Sequence, residues 1–182
     1  PREFTKLLRP VMHLLRLQGI KVHVYLDDWL IRADSLELAH QHTQIVLRVL
    51  QHLGWLINYD KSELTPTREF QFIGMSFNTI RYTVAPLNKL RLKVLHVLGH
   101  WRDRRHVSAR DACRLIGMLQ YMAILVRRGR LKLRPLQWWL KDHWYQATGR
   151  WSDQLPVLPE LLHQISWGAS PAVLQGVPLR KT

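Results

Sequence analysis

Cysteine, acidic residues and long apolar runs are all scarce in this chain, and each shortage closes off a class of protein. The single cysteine, Cys113, rules out an internal disulfide framework and suits a reducing compartment. No apolar stretch approaches the roughly 20 residues of a membrane-spanning helix, and no secretory leader is visible. The expected setting is therefore intracellular, cytoplasmic or nuclear, with no membrane partner. An initiator Met is missing and neither end carries a terminal signal, which reads as a piece of a longer polypeptide.

Asp and Glu number 13 against 27 Lys and Arg in 182 residues. The surplus is concentrated: residues 81–134 hold fourteen Lys and Arg and, of the acids, Asp103 and Asp111 alone. Such a patch attracts polyanions. A solvated or membrane-facing basic surface would carry similar charge, but Trp101 and Tyr121 interleave this one and favour nucleic acid. A hydrophobic content of 47% with eight Trp excludes a disordered chain and allows one domain or two small ones.

The rest is organised around Tyr25-Leu26-Asp27-Asp28. Val22, Val24 and Leu26 alternate with His23 and Tyr25 as in a strand, and Trp29-Leu30-Ile31 can return antiparallel, which puts two carboxylates at a hairpin tip. Asp tolerates the dihedrals of tight turns. Two like charges ~4 Å apart repel by about 4 kcal/mol at an effective dielectric near 20, so the pair invites a cation. Magnesium fits, since it takes carboxylate oxygens and leaves positions open for phosphate. The alternative is a solvated turn that carries two Asp, and the neighbouring segments decide between the two.

Residues 1–18 read as a helix with Phe4, Leu7, Leu8, Val11 and Leu15 on one face, Lys6, Arg9 and Arg16 opposite, and Gly19 as a left-handed stop. After the hairpin, Asp34 and Glu37 suggest a capping box for a second helix running to about Leu53, with Leu36, Ala39, Val46, Leu47, Leu50 and Leu53 as its apolar stripe. His40, His42 and His52 fall on its wet side, and His40-Gln41-His42 lacks the further ligands a zinc site needs. Residues 53–64 read as turn, strand, polar loop and short strand, and residues 70–77 with Tyr82-Thr83-Val84 as a second hairpin. From Pro86 the pattern turns helical, first through Trp101, then from Ser108, capped with Asp111, to Val126, then from Pro135 through Trp144. Beyond Gly149 the prolines and glycines suggest a looser linker with one short helix at 159–165.

Val24-Tyr25-Leu26-Asp27-Asp28 between hydrophobic strands resembles the catalytic motif of reverse transcriptases, carried on a hairpin of the polymerase palm. Neighbouring segments resemble the family in the same order. Pro1-Arg2-Glu3-Phe4-Thr5-Lys6 is similar to the end of the segment that precedes the hairpin, and Gly54-Trp55 through Lys61-Ser62-Glu63-Leu64 to the motif that follows it. Phe72-Ile73-Gly74 resembles the primer grip, and Leu115-Ile116-Gly117-Met118-Leu119-Gln120-Tyr121 the thumb helix that tracks the duplex minor groove. The wording is nearest to DIRS-type and gypsy-like retrotransposon polymerases.

The resemblance implies an α+β fold: a partial palm (helix, catalytic hairpin, helix, primer-grip hairpin) over residues 1–85, a helical thumb over 86–130, and a connection over 131–182 leading to a ribonuclease H-like module. It implies RNA-directed DNA polymerase chemistry, in which two metal ions, magnesium or manganese, align a primer 3′-hydroxyl with a deoxynucleoside triphosphate on an RNA or DNA template. Asp27 and Asp28 would hold metal, Lys61 would neutralise charge on the triphosphate, and Tyr25, Leu26, Phe72, Ile73 and Gly74 would lie against nucleotide and primer. Gly117, Gln120 and Tyr121 would meet the duplex, with Cys113 where retroviral members carry a polar contact. The family's first catalytic Asp belongs to upstream palm and fingers, and no candidate precedes Asp27, so the piece alone is expected not to polymerise. A non-catalytic nucleic-acid-binding relic is the alternative, and a basic helical interaction protein unrelated to polymerases a third.

Overall fold

The computed structural model describes residues 2–145 and 148–179. Its contacts divide the chain into two compact units, Pro1–Ile73 and Gly74–Thr182, and among the described residues no helix is long and apolar enough to cross a membrane. The fold is α+β, as expected.

The first unit opens with helix α1 (Arg2–Leu17), whose Leu15 is fully buried while Val11 and Met12 pack beside it. Leu7, expected on the inner face, is 64% exposed, whereas Leu8 beside it is buried and Phe4 packs edge-on against Trp55; the inner face runs past Leu7 through Phe4, Leu8, Val11 and Leu15. Gly19, at φ +78°, ends it, and the Ile20 amide donates back to the Leu15 carbonyl, a left-handed stop that satisfies a terminal acceptor. Strands β1 (Lys21–Tyr25) and β2 (Asp28–Arg32) follow as an antiparallel pair in the register Tyr25 opposite Asp28 and Val22 opposite Ile31. Val22 and Ile20 are buried against Val46 and Leu50 of helix α2 (Leu36–His52), with Trp29 and Ile31 packed alongside.

The cap of α2 departs from the sequence reading. Ser35, not Asp34, is the N-cap, its hydroxyl accepting from the Leu38 amide at 3.2 Å. Asp34 instead takes a hydrogen bond from the Lys21 ammonium at 2.7 Å, and that bond with the Lys21 charge holds its carboxyl below the usual range. Leu36 and Leu53 at the two ends of the predicted stripe are exposed, because the inner face is narrower and runs through Ile45, Val46, Val49 and Leu50. His42 is half-buried rather than wet, with its Nδ1 unpartnered. Residues 55–57 form no strand; Trp55 and Ile57 join the helix–hairpin core and lead into a 3-10 turn, Tyr59–Lys61. The unit ends on β3 (Glu69–Phe72).

The expected single strand over 70–77 is two. Ile73 and Gly74 both sit at positive φ, +47° and +68°, and break it before β4 (Met75–Asn78). β4 pairs with β5 (Thr83–Pro86) as the predicted second hairpin, Phe77 opposite Val84, and β5 pairs on its other side with a strand from near the end of the chain. Helix α3 (Asn88–Arg102) buries Val94, Leu98 and Trp101, as its spacing foretold. A short strand β6 (His106–Ser108) leads to helix α4 (Ala109–Met122), which is capped as expected by Ser108 accepting from the Asp111 amide at 3.1 Å.

Helix α4 stops at Met122 and a 3-10 turn, Ala123–Leu125, follows. Helix α5 runs Gly129–Leu140, beginning before the predicted Pro135 start. Gly129 explains the early start: a Cβ there would run into the Ala123 carbonyl, so glycine lets the new helix press on the preceding turn. Gly129→Ala is expected to cost about 1–3 kcal/mol, read as a lower urea midpoint with unchanged slope.

Residues beyond Gly149 do not trail as a linker. Strand β7 (Gln154–Pro156) pairs with β6, placing Val107 opposite Leu155. Helix α6 (Pro159–Ile165), the one expected here, and α7 (Pro171–Gln175) bury Leu161, Ile165, Val173 and Leu174 in the same core as α3, α4 and α5, and β8 (Val177–Pro178) closes the sheet on β5. Pro159 and Pro171 stand at helix starts, where the missing amide costs nothing, and Pro156 and Pro178 end the short strands β7 and β8. Residues 180–182, the end of the expected connection, lie outside the described residues.

Candidate nucleic-acid and metal site

In the first unit the chemistry gathers at the β1–β2 tip. Tyr25 and Asp28 face each other as the last pair of the ladder, and Leu26 and Asp27 make the two-residue turn. The left-handed dihedral falls on Leu26, at φ +55°, not on either Asp. A branched residue there costs on the order of 1 kcal/mol, and such strain concentrates at functional turns. Asp27 and Asp28 are both exposed, as are Tyr25 and Leu26. The base of the hairpin is fixed from two sides, by the Lys21–Asp34 pair and by the Arg16 guanidinium donating to the Val22 carbonyl at 3.1 Å.

Lys61 ends the 3-10 turn that Asn58 caps, the Asn58 amide oxygen accepting from the Lys61 amide at 3.2 Å, and its side chain is exposed. Trp55 and Ile57 seat this loop on the core that carries the hairpin. Asn58, Arg16 and Lys21 are positioning residues that the sequence reading passed over. Asn58 had a readable signal, an Asn opening a polar turn, whereas the other two depend on tertiary pairing.

Two carboxylates on one tip supply hard, acceptor-only oxygens. Magnesium takes one or two carboxylates and completes its shell with water and phosphate oxygens, so Asp27 and Asp28 fit an open site. Among the described residues no cluster of three or more His, Cys, Asp or Glu could hold an ion, which excludes a closed, all-protein cage there.

Phe72 and Ile73 end the first unit, Phe72 half-buried and Ile73 exposed. Gly74 opens the second, and the room its missing side chain leaves is taken by Tyr121: a Cβ would lie 2.5 Å from the phenol oxygen. The structure thus brings Gly74 and Tyr121 together across 46 intervening residues. Burial pushes the Tyr121 hydroxyl up from its ordinary value, and does the same to the half-buried Cys113 thiol on the same helix, which keeps Cys113 a thiol rather than a reactive thiolate.

Gly117 is different. It is exposed in the middle of α4, beside exposed Gln120, and an added Cβ would meet nothing within 4 Å, so it is not there to let two helices pack. A helix-interior glycine costs about 0.5–1 kcal/mol relative to alanine. Gly117→Ala is therefore expected to raise stability by about that much in thermal unfolding, while lowering duplex affinity if the backbone at Gly117 is where a duplex comes close.

Residues 1–77 match the family described as reverse transcriptase (RNA-dependent DNA polymerase). That span holds the hairpin, Asp27, Asp28, Lys61 and the Ile73-Gly74 turn. A likeness in fold extends through the second unit: a structure of the foamy viral protease-reverse transcriptase, in complex with double-stranded DNA, superposes with a TM-score of 0.68 over 96% of this chain at 15% identity. The chain spans 28% of that protein's length. No curated protein matches.

Proposed function

We propose that this chain is the later palm and thumb of a retrotransposon reverse transcriptase, DIRS-type or gypsy-like, adding deoxynucleotides to a primer 3′-hydroxyl on an RNA or DNA template. The observation that carries the reading is the hairpin: a strained two-residue turn with Asp27 in it and Asp28 paired to Tyr25, inside the span that matches the reverse transcriptase family.

Asp27 and Asp28 would hold magnesium, which supplies charge neutralisation and alignment for phosphoryl transfer. Tyr25 and Leu26, exposed at the same tip, offer an apolar surface to the primer end or the incoming nucleotide. Lys61 would meet the triphosphate, neutralising charge or giving a proton to the departing pyrophosphate. The grip turn at Phe72-Ile73-Gly74 would steady the primer. In the second unit Gly117, Gln120 and Tyr121 would face the duplex, with contacts to phosphate that are independent of sequence and weaken with salt. The protein would act inside the cell, with upstream palm and fingers and a downstream ribonuclease H-like module in a parent polyprotein.

The test is primer extension on an RNA template with and without magnesium, using the longest reading frame that contains this sequence and Asp27→Asn as its control. Metal-dependent extension that the substitution removes supports the polymerase. Absent extension, with salt-sensitive duplex binding that survives the substitution, would make the chain a binding relic instead.

A further inference from the structure

The basic second unit contains a cleft of about 780 Å³ whose lining includes none of the site residues described above. Its walls come from α3, β6 and α4, with Gln154 of β7 at the edge. That volume falls within the range of small-molecule sites, roughly 300–1,000 Å³. The floor is apolar, made by Val97, Trp101, Val107 and Met118, and Trp101 is 1% exposed. A low-dielectric floor strengthens any charge interaction above it.

The rim is charged almost entirely with one sign. Lys93, His96 and His100 project from α3, Arg104 and His106 from the turn and strand that follow, and Asp111 and Arg114 from the first half of α4. Asp111 is already engaged, accepting from the Ser108 hydroxyl at 2.7 Å and from Arg114 at 3.3 Å, so the one carboxylate does not neutralise Lys93 or Arg104. His96 and His100, one helical turn apart, have near-parallel rings with centroids 6.4 Å apart. Each imidazole carries an N–H donor, and an anion in the cleft would meet these donors while relieving the repulsion between Lys93 and Arg104.

We infer that this cleft is a binding site for a multiply charged phosphate, held by Lys93 and Arg104 with His96, His100 and His106 at its rim. It is separate from the exposed Gly117 and Gln120 surface of α4 and from the Asp27–Asp28 tip, and it does not depend on the polymerase reading. Two sources share the chemistry: a phosphate of a nucleic-acid strand, or a free polyphosphate group.

The test is calorimetric titration of the chain with inorganic tripolyphosphate in metal-free buffer containing EDTA. Metal-dependent triphosphate binding at the Asp27–Asp28 tip is silent under these conditions, so the outcome is independent of polymerase activity. One equivalent should bind, and Lys93→Gln with Arg104→Gln should weaken it at least about tenfold, or 1.4 kcal/mol. His96→Gln with His100→Gln should weaken it by a smaller factor, about threefold. All four side chains are exposed, so folding is spared. Arg9→Gln with Arg48→Gln, exposed positions of the first unit, removes the same charge elsewhere and should leave binding within about twofold. Equal weakening by that control pair, or binding unchanged in the Lys93 and Arg104 variant, would overturn the site. Displacement of tripolyphosphate by a DNA duplex would assign the phosphate to a nucleic-acid strand, and simultaneous binding to a free polyphosphate.

Discussion

In the longest reading frame that contains this sequence, Asp27→Asn is expected to lower magnesium-dependent primer extension at least about 100-fold, which corresponds to roughly 3 kcal/mol of transition-state stabilisation. Asp27 lies in the turn between the last paired residues of β1 and β2, so its carboxylate is exposed and unconstrained by the ladder. Asn keeps the size and one carbonyl oxygen but loses the charge, and a hard divalent cation depends on that charge. Asp28 begins β2 opposite Tyr25, where the backbone ladder fixes its direction, and Asp28→Asn is expected to be the milder of the two. Duplex affinity should be nearly unchanged in both, because the proposed duplex contacts, Gly117, Gln120 and Tyr121, belong to the second unit. A pre-steady-state extension assay paired with a filter-binding measurement separates the two effects, and equal loss of binding and extension would place Asp27 in folding rather than in chemistry.

The second large effect is on stability. Trp101→Ala should destabilise the second unit by about 3–5 kcal/mol, the range for removing a buried aromatic from a packed core. Trp101 is 1% exposed, and its ring lies 5.7 Å from that of Trp139, centroid to centroid. Trp139 in turn donates its indole N–H to the Pro156 carbonyl at 3.0 Å. One side chain therefore ties α3 to α5, and through Trp139 to β7. Trp101→Phe should recover part of the loss by refilling some of the volume. Urea unfolding followed by Trp fluorescence reads both, and a loss under about 1 kcal/mol would mean that the site collapses around the truncation.

The elements that were legible from the residues are those whose signal is local. Helix α3 followed from a single apolar stripe ending at Trp101, and the cap of α4 from Ser108 with Asp111 three positions on. The hairpin followed from the alternation of Val22, Val24 and Leu26 before the Asp pair and the apolar Trp29-Leu30-Ile31 after it. What was misread depends on partners distant in sequence. Asp34 looks like a cap until Lys21 arrives from thirteen residues away, and Ser35 then takes the role. Residues 154–178 looked loose because prolines and glycines punctuate them, yet Leu155, Leu161 and Ile165 are buried by α3, α4 and α5, a fit that no short window reveals. The cleft on the second unit was missed for a mixed reason. His96 and His100 carry a readable four-residue spacing, but Arg104, His106 and Arg114 reach the same space only after α3, β6 and α4 have packed.

The contact between Gly74 and Tyr121 bears on how such a protein could be recombined. A chimera that joins this second unit to a foreign first unit would usually be cut where the strands give way to helices, near Pro86. That junction would leave Gly74 with the donor of the first unit and Tyr121 with the other parent. Any donor with a larger residue at position 74 would bring a Cβ against the phenol ring and force the left-handed turn on a side chain that resists it. Cutting at Ile73–Gly74 keeps the glycine and the tyrosine in one parental block, and grafts made there should tolerate more divergent donors than grafts made at the more obvious boundary.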